Sequence, residues 1–314
     1  MKVTDILSRD EIATLTRASN LRGAWSVVVD WSLVAASMAL VAWLPNVATI
    51  LLALIVIGGR QLGLAILAHE CAHKSLFARK SLHDPIGVWL CAAPIWTDML
   101  RYREHHRRHH NHTGTDADPD HVLARPFPIT RASLARKFLR DLVGWTAVRR
   151  IGALLAIDFG FLNYTVSSFA GWHPPMKLGA RLRFAAGHLY PVVLTNLALF
   201  SALWLLGRPE LYLLWVGAWF TTYSLALRIR GIAEHAGTEW VPDPLRNTRT
   251  TYAGWLARLF LAPHHVNYHL EHHLLMTVPH YRLADLHVLL KERGHLGPHN
   301  VATSYRQVFA LVTH

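Results

Sequence analysis

Eight histidines fall into three spaced boxes. His69 and His73 form HxxxH. His106, His109 and His110 form HxxHH, and His269, His272 and His273 form a second HxxHH. On a helix, positions i, i+3 and i+4 share one face, so each box can aim two or three imidazoles at one point. His235, in Ala233-Glu234-His235-Ala236-Gly237, is the candidate for a ninth ligand. His105 competes with His106 as a box-2 ligand, since His105 and His109 are also four apart; completion of HxxHH favours His106. Imidazole-rich shells suit iron, copper, zinc and nickel. A single zinc takes three or four protein ligands, so eight or nine histidines fit a dinuclear redox centre better. Each cluster also has an adjacent glutamate: Glu70, Glu104, Glu234 and Glu271. Neighbours on a helix point different ways, so these carboxylates are expected to orient rings of a neighbouring box rather than ligate. Asp116, Asp118 and Asp120 alternate ahead of His121; without the glycine and glutamate of a calcium loop they predict an acidic turn, with Asp116 assigned to support the second box.

The elements that must carry the boxes are apolar. The chain has 314 residues, 52% hydrophobic and 17% charged, with 22 His and only 2 Cys. That composition excludes a disordered chain and a disulfide framework. Four stretches approach the roughly 20 residues needed to cross a bilayer: Ala24–Leu44, Val47–Ala68, Leu189–Leu206 and Leu211–Leu227. Tight turns at Pro45–Asn46 and Gly207–Glu210 pair them as two hairpins. Ser8 with Glu11 predicts a capping box opening a short amphipathic helix, and no secretory signal is visible. The fold expected is an all-α integral membrane protein forming one domain. It runs as an amphipathic segment 1–23, a first hairpin 24–68, a loop 69–188 carrying boxes 1 and 2, a second hairpin 189–227, and a tail 228–314 carrying box 3.

This layout puts 30 of the 32 Lys and Arg, and every histidine, on one side. The positive-inside rule makes that side cytoplasmic, with both termini, and absorbs the net charge of +12 without nucleic acid. The boxes must meet, so an even number of crossings separates them. Pro85–Thr97 and Ile151–Trp172, although apolar, are therefore expected not to cross.

The three ordered boxes and the stretch from His272 to Leu283, HHLLMTVPHYRL, resemble the membrane fatty acid desaturase family, over roughly Trp31 to Leu290. The resemblance implies a four-helix membrane stem with a cytosolic helical cap holding two irons. It also implies oxygen-dependent removal of two hydrogens from an unactivated alkyl chain, here a fatty acyl chain drawn from the membrane. The first box is shorter than that of animal acyl-CoA desaturases, and Gly231 stands where those enzymes carry an asparagine, which implies an open position on one iron. The third box begins with His269 rather than the glutamine of front-end desaturases. No His-Pro-Gly-Gly haem motif and no GxGxxG appear, so electrons are expected from a separate ferredoxin-, rubredoxin- or cytochrome-type donor docking on the basic face. A bacterial inner membrane is the expected location.

Three other functions compete. Oxygen insertion into an alkyl, carotenoid-like or smaller substrate uses the same metals and diverges only after the first hydrogen is lost. A metal transporter would place ligands inside its spans, which are almost free of His. A zinc hydrolase would leave most boxed histidines unused. Elsewhere, His83, His121, His173, His287, His295, His299 and His314 read as solvated, and His188 as an interfacial residue opening the third span. His112, His264, His265 and His280 are left open between ligand support and substrate contact. Asp30 and Arg60 lie within spans, either near the headgroups or in a functional role. Cys71 is expected to pack.

Overall fold

Helix starts are set by small polar caps. Ser8 accepts from the Glu11 N–H while the Glu11 carboxylate accepts from the Ser8 N–H, closing the expected capping box of α1 (Arg9–Leu15). Ser19 caps α2 (Asn20–Trp43). After the turn at Leu44–Asn46, Asn46 and Thr49 exchange reciprocal hydrogen bonds at 3.0 and 3.2 Å and open α3 (Val47–His73). The computed structural model describes residues 3–167 and 169–314. Its further principal helices are α4 (Met99–His112), α5 (Arg131–Leu142), α6 (Trp145–Asp158), α7 (Leu178–Leu205), α8 (Tyr212–Phe220), α9 (Thr222–His235), α10 (His269–Leu274) and α11 (Leu283–Glu292). One short parallel pair, Thr250–Thr251 with Val301–Ala302, is the only sheet among the described residues.

The central element is α3. From Ile57 to Ala72 it is buried on nearly every side, with α2, α8, α9 and the segment 83–95 packed around it. Such a helix is apolar all round because all of its faces are covered. Two glycines let neighbours come close. A Cβ on Gly58 would meet the Thr222 hydroxyl at 2.2 Å and the Tyr223 nitrogen at 2.7 Å. A Cβ on Gly63 would meet the Asp30 carboxylate at 2.4 Å.

Among the described residues, three helices are long and apolar enough to cross a membrane: α2, α3 and α7. The third expected span begins well before Leu189, because α7 starts at Leu178 and runs through Pro191. His188 therefore lies inside a helix rather than opening one, and its Nδ1 is 3.0 Å from Asp98. Only Ala185 and Leu203 of α7 are buried. The fourth expected span, Leu211–Leu227, is helical but broken. Thr221 leaves the helical region (φ −116°, ψ −85°), and α9 starts afresh at Thr222. The break coincides with a tertiary contact: the Thr222 hydroxyl donates to the Leu54 carbonyl of α3, where Gly58 admits the close approach. Within Pro85–Thr97 the chain makes only short turns, including a π turn at Gly87–Ala92, and the helix in Ile151–Trp172 stops at Asp158.

Asp30 and Arg60, inside the two apolar helices, are buried and paired with each other. Arg60 Nη1 donates to Asp30 Oδ1 at 2.9 Å, and both side chains are buried. The other Asp30 oxygen lies 2.7 Å from His264 Nε2, and Arg60 also donates to the Leu259 carbonyl. The pair joins α2 and α3 to the segment just before box 3. Breaking a buried pair by removing one partner costs about 3–5 kcal/mol, because the other charge is left stranded. Asp30→Ala is expected to lower the thermal unfolding midpoint in detergent sharply, whereas Asp30→Leu combined with Arg60→Met recovers part of the loss. Equal midpoints for wild type and Asp30→Ala would refute the structural role.

Candidate metal centre

Box 1 closes the buried end of α3, box 2 lies on the last two turns of α4, box 3 opens α10, and His235 is the last residue of α9. These elements bring all nine candidate histidines together in two groups. His69, His73, His106, His110 and His272 form one; His109, His235, His269 and His273 form the other. Within each group the candidate ligand atoms lie within 4.8 Å of one another. Helical spacing explains the partition. In box 2 the i, i+4 pair His106 and His110 faces the first group and His109 the second. In box 3 the pair His269 and His273 faces the second group and His272 the first.

Ring nitrogens approach one another closely. His106 and His110 Nε2 are 3.0 Å apart, His110 and His272 Nε2 3.1 Å, and His235 and His269 Nε2 3.0 Å. Both nitrogens of His69, with Nε2 of His73 and of His273 and Nδ1 of His272, are buried without a hydrogen-bond partner. A buried polar atom left unpaired costs on the order of 1–3 kcal/mol. Burial pushes His106, His110, His269, His272 and His273 well below the ordinary imidazole range, and neighbouring rings push them further. Neutral rings with converging lone pairs fit metal cations as the missing partners.

Outer contacts fix several rings. Burial alone would lower His109, but its bond to Asp118 and the charges of Asp118 and Asp120 raise it instead. The His109 Nδ1 to Asp118 Oδ1 distance is 2.8 Å. Asp118 is held by the Asp120 N–H at 2.8 Å, an Asx turn around Pro119. His235 Nδ1 is 3.0 Å from the Asn247 carbonyl, leaving Nε2 for the group. Glu234 stands 3.2 Å from His269 Nδ1 and is itself held by Arg230, as expected of a carboxylate serving a neighbouring box.

Other expectations need correction. Glu104 is exposed and pairs with Arg107 one turn on, because it sits on the outer face of α4. Asp116 is exposed and pairs with Arg125; the Asx turn sends Asp118 and Asp120 inward in its place. Glu70 accepts from the His280 N–H at 2.9 Å and from the Ser75 hydroxyl, and its nearest ring is its own neighbour His69, at 3.8 Å, rather than one in another box. Glu271 contacts Thr250 and His287, not a boxed ring. His287 and His83 are buried rather than solvated; His83 Nε2 accepts from the Phe77 N–H at 3.1 Å. His105 turns to Asp120 at 2.9 Å, which leaves His106 in the group. His112, His264, His265 and His280 belong to neither group. Cys71 is fully buried. The acidic turn supports box 2 as expected of it, through Asp118 and Asp120 rather than Asp116; Asn247 carried no signal in the sequence.

A cavity of about 910 Å3 borders the second group at His109, His235 and His269 and has an apolar wall that includes Ile95, Trp96, Leu154 and Ile157. Its size and lining suit a hydrophobic ligand.

The chain is similar to several characterised proteins. An omega-6 fatty acid desaturase of the endoplasmic reticulum from Glycine max is 25% identical over 249 residues, covering 71% of this chain and 60% of that protein. An sn-1 oleoyl-lipid 12-desaturase from Anabaena variabilis is 25% identical over 297 residues, covering 88% and 79%. A beta-carotene ketolase from Paracoccus sp. (strain PC1) is 28% identical over 229 residues, covering 71% and 73%. The family model described as fatty acid desaturase matches residues 41–306. That family is known for non-haem iron, and its chemistry is that of an oxidoreductase. With that match spanning most of its length, over the helices that assemble both histidine groups, this chain belongs to the fatty acid desaturase family.

Proposed function

We propose that the protein is a di-iron, oxygen-dependent desaturase that introduces a double bond into a fatty acyl chain. The observation that carries this reading is the gathering of nine histidines into a group of five and a group of four. His69, His73, His106, His110 and His272 would hold one iron, and His109, His235, His269 and His273 the other. Bound there, the irons supply the oxygen-derived oxidising power that an unactivated C–H bond requires. The balance is two hydrogens from the chain, two electrons from a donor and two protons, which together reduce dioxygen to two waters. The donor is a separate ferredoxin-, rubredoxin- or cytochrome-type protein.

The chain's own residues do the positioning. Asp118, Glu234 and Asn247 lock His109, His269 and His235 in single orientations. The apolar wall around Trp96 and Leu154 holds a hydrocarbon chain beside the second group and keeps water from it. In the membrane, α2 with α3 and α7 with the broken Leu211–Leu227 stretch form two hairpins, and the remaining segments form a cytosolic cap. Both termini then face the cytoplasm, at a bacterial inner membrane.

Anaerobic loading of the purified protein is expected to give two irons per chain; a single tightly held zinc would favour hydrolysis and reject the reading. His272→Ala and His109→Ala remove ligands from different groups. Each should lose one iron and retain the other, and with His69→Ala each should abolish product while the protein still inserts. Asp118→Asn is expected to weaken iron retention against a chelator by about 10–100-fold, the usual effect of disturbing a ligand's support. Lipid profiling of a host with and without the gene should reveal acyl chains lighter by two hydrogens, formed only with reductant and dioxygen. Chains heavier by one oxygen would replace desaturation with hydroxylation, and product formed without oxygen would end both.

A further inference from the structure

Seven basic side chains and six carboxylates border the cavity beside the second histidine group, and each of those carboxylates already has a charged or imidazole partner. Arg101 faces Asp98 and Asp158, Arg228 faces Asp141, and Arg230 faces Glu234. Arg150, on α6, has no carboxylate within ion-pair distance among the described residues. Its guanidinium lies over the rings of Trp219, at 5.1 Å, and Tyr223, at 5.5 Å, and Nη2 donates to the Ser224 hydroxyl at 3.2 Å. A guanidinium has five N–H donors, so this contact leaves most of them to the cavity. Burial draws Arg150 down from the usual arginine range, a sign of poor solvation. Lys137, Arg140 and Arg149 border the same cavity and have no acidic partner at ion-pair distance among the described residues. The nearby Asp141 is already engaged by Arg228 and by the Thr146 hydroxyl.

A half-buried cation stacked on two aromatic faces presents its N–H edge to whatever fills the space. Planar, bidentate acceptance of such an edge is the property of carboxylate and phosphate oxygens. We propose that Arg150 seats an anionic group of the substrate, a fatty carboxylate or an acidic-lipid phosphate, whose hydrocarbon chain lies in the same cavity as His109, His235 and His269. The assignment rests on the acyl-chain reading above and narrows it: an uncharged hydrocarbon leaves Arg150 unpaired, so the site is built for an amphiphile with a negative end.

The test is equilibrium binding of tritiated oleate, methyl oleate and dioleoyl phosphatidate to the full-length protein in uncharged detergent, at a pH where oleate is ionised. At least one of the two anions should bind about 10-fold or more tightly than the neutral ester, a gap of about 1.4 kcal/mol. A preference for oleate alone identifies a free carboxylate, and one for phosphatidate alone a headgroup phosphate. Arg150→Gln should abolish the preference and leave methyl oleate binding unchanged. Arg150→Lys should retain part of it. If Arg150→Gln fails to fold, the wild-type comparison and the lysine variant still decide. Equal affinities for all three probes in the wild-type protein, or a preference that survives in Arg150→Gln, would overturn the assignment. Binding needs neither oxygen nor turnover, so its outcome separates from that of the catalytic reading. An intact anion preference without any desaturated product sinks the desaturase and leaves the anion seat; product without an anion preference does the reverse.

Discussion

Nine imidazoles are crowded into one largely buried volume, and the rest of the fold answers to that fact. Neutral rings present lone pairs to one another at about hydrogen-bond distance, yet few of those pairs can donate and accept in a consistent pattern. Among the described residues the arrangement leaves several of those nitrogens without a hydrogen-bond partner. The features that seem excessive for packing alone then have a purpose. The buried end of α3, the Asx turn at Asp118 and the Glu234–Arg230 pair all hold rings in place.

Close packing supplies the rigidity. Gly63 admits the Asp30 carboxylate against α3, and the same carboxylate reaches His264, a few residues before the third box. Gly58 admits the backbone at Thr222, and the helix that restarts there ends at His235. A polar link and a helix break thus bear on the geometry of two histidine-bearing segments. Ordinary apolar contact could bury these helices, but it would not fix their rotation as firmly.

Much of this was legible in the sequence because helical periodicity is a local property. The spacing of His106, His109 and His110 assigns their directions before any tertiary contact is known, and HxxHH selected His106 over His105. The apolar runs located α2 and α3, missing only the polar first turn of α2 and the box-bearing last turn of α3. What escaped was governed by distant partners. Glu104 stands beside a box yet faces solvent, because only the docking of α4 decides which flank is outer. Asp116 and Asp118 differ only in a turn around Pro119. The break at Thr221 coincides with a hydroxyl meeting a carbonyl on α3, which no hydropathy window registers. His83 and His287, each isolated in sequence, are buried by the cap's own packing.

Helices α4 and α10 each send imidazoles into both histidine groups. Backbone that positions one group therefore also serves the other, so a shift of either helix displaces rings in both at once.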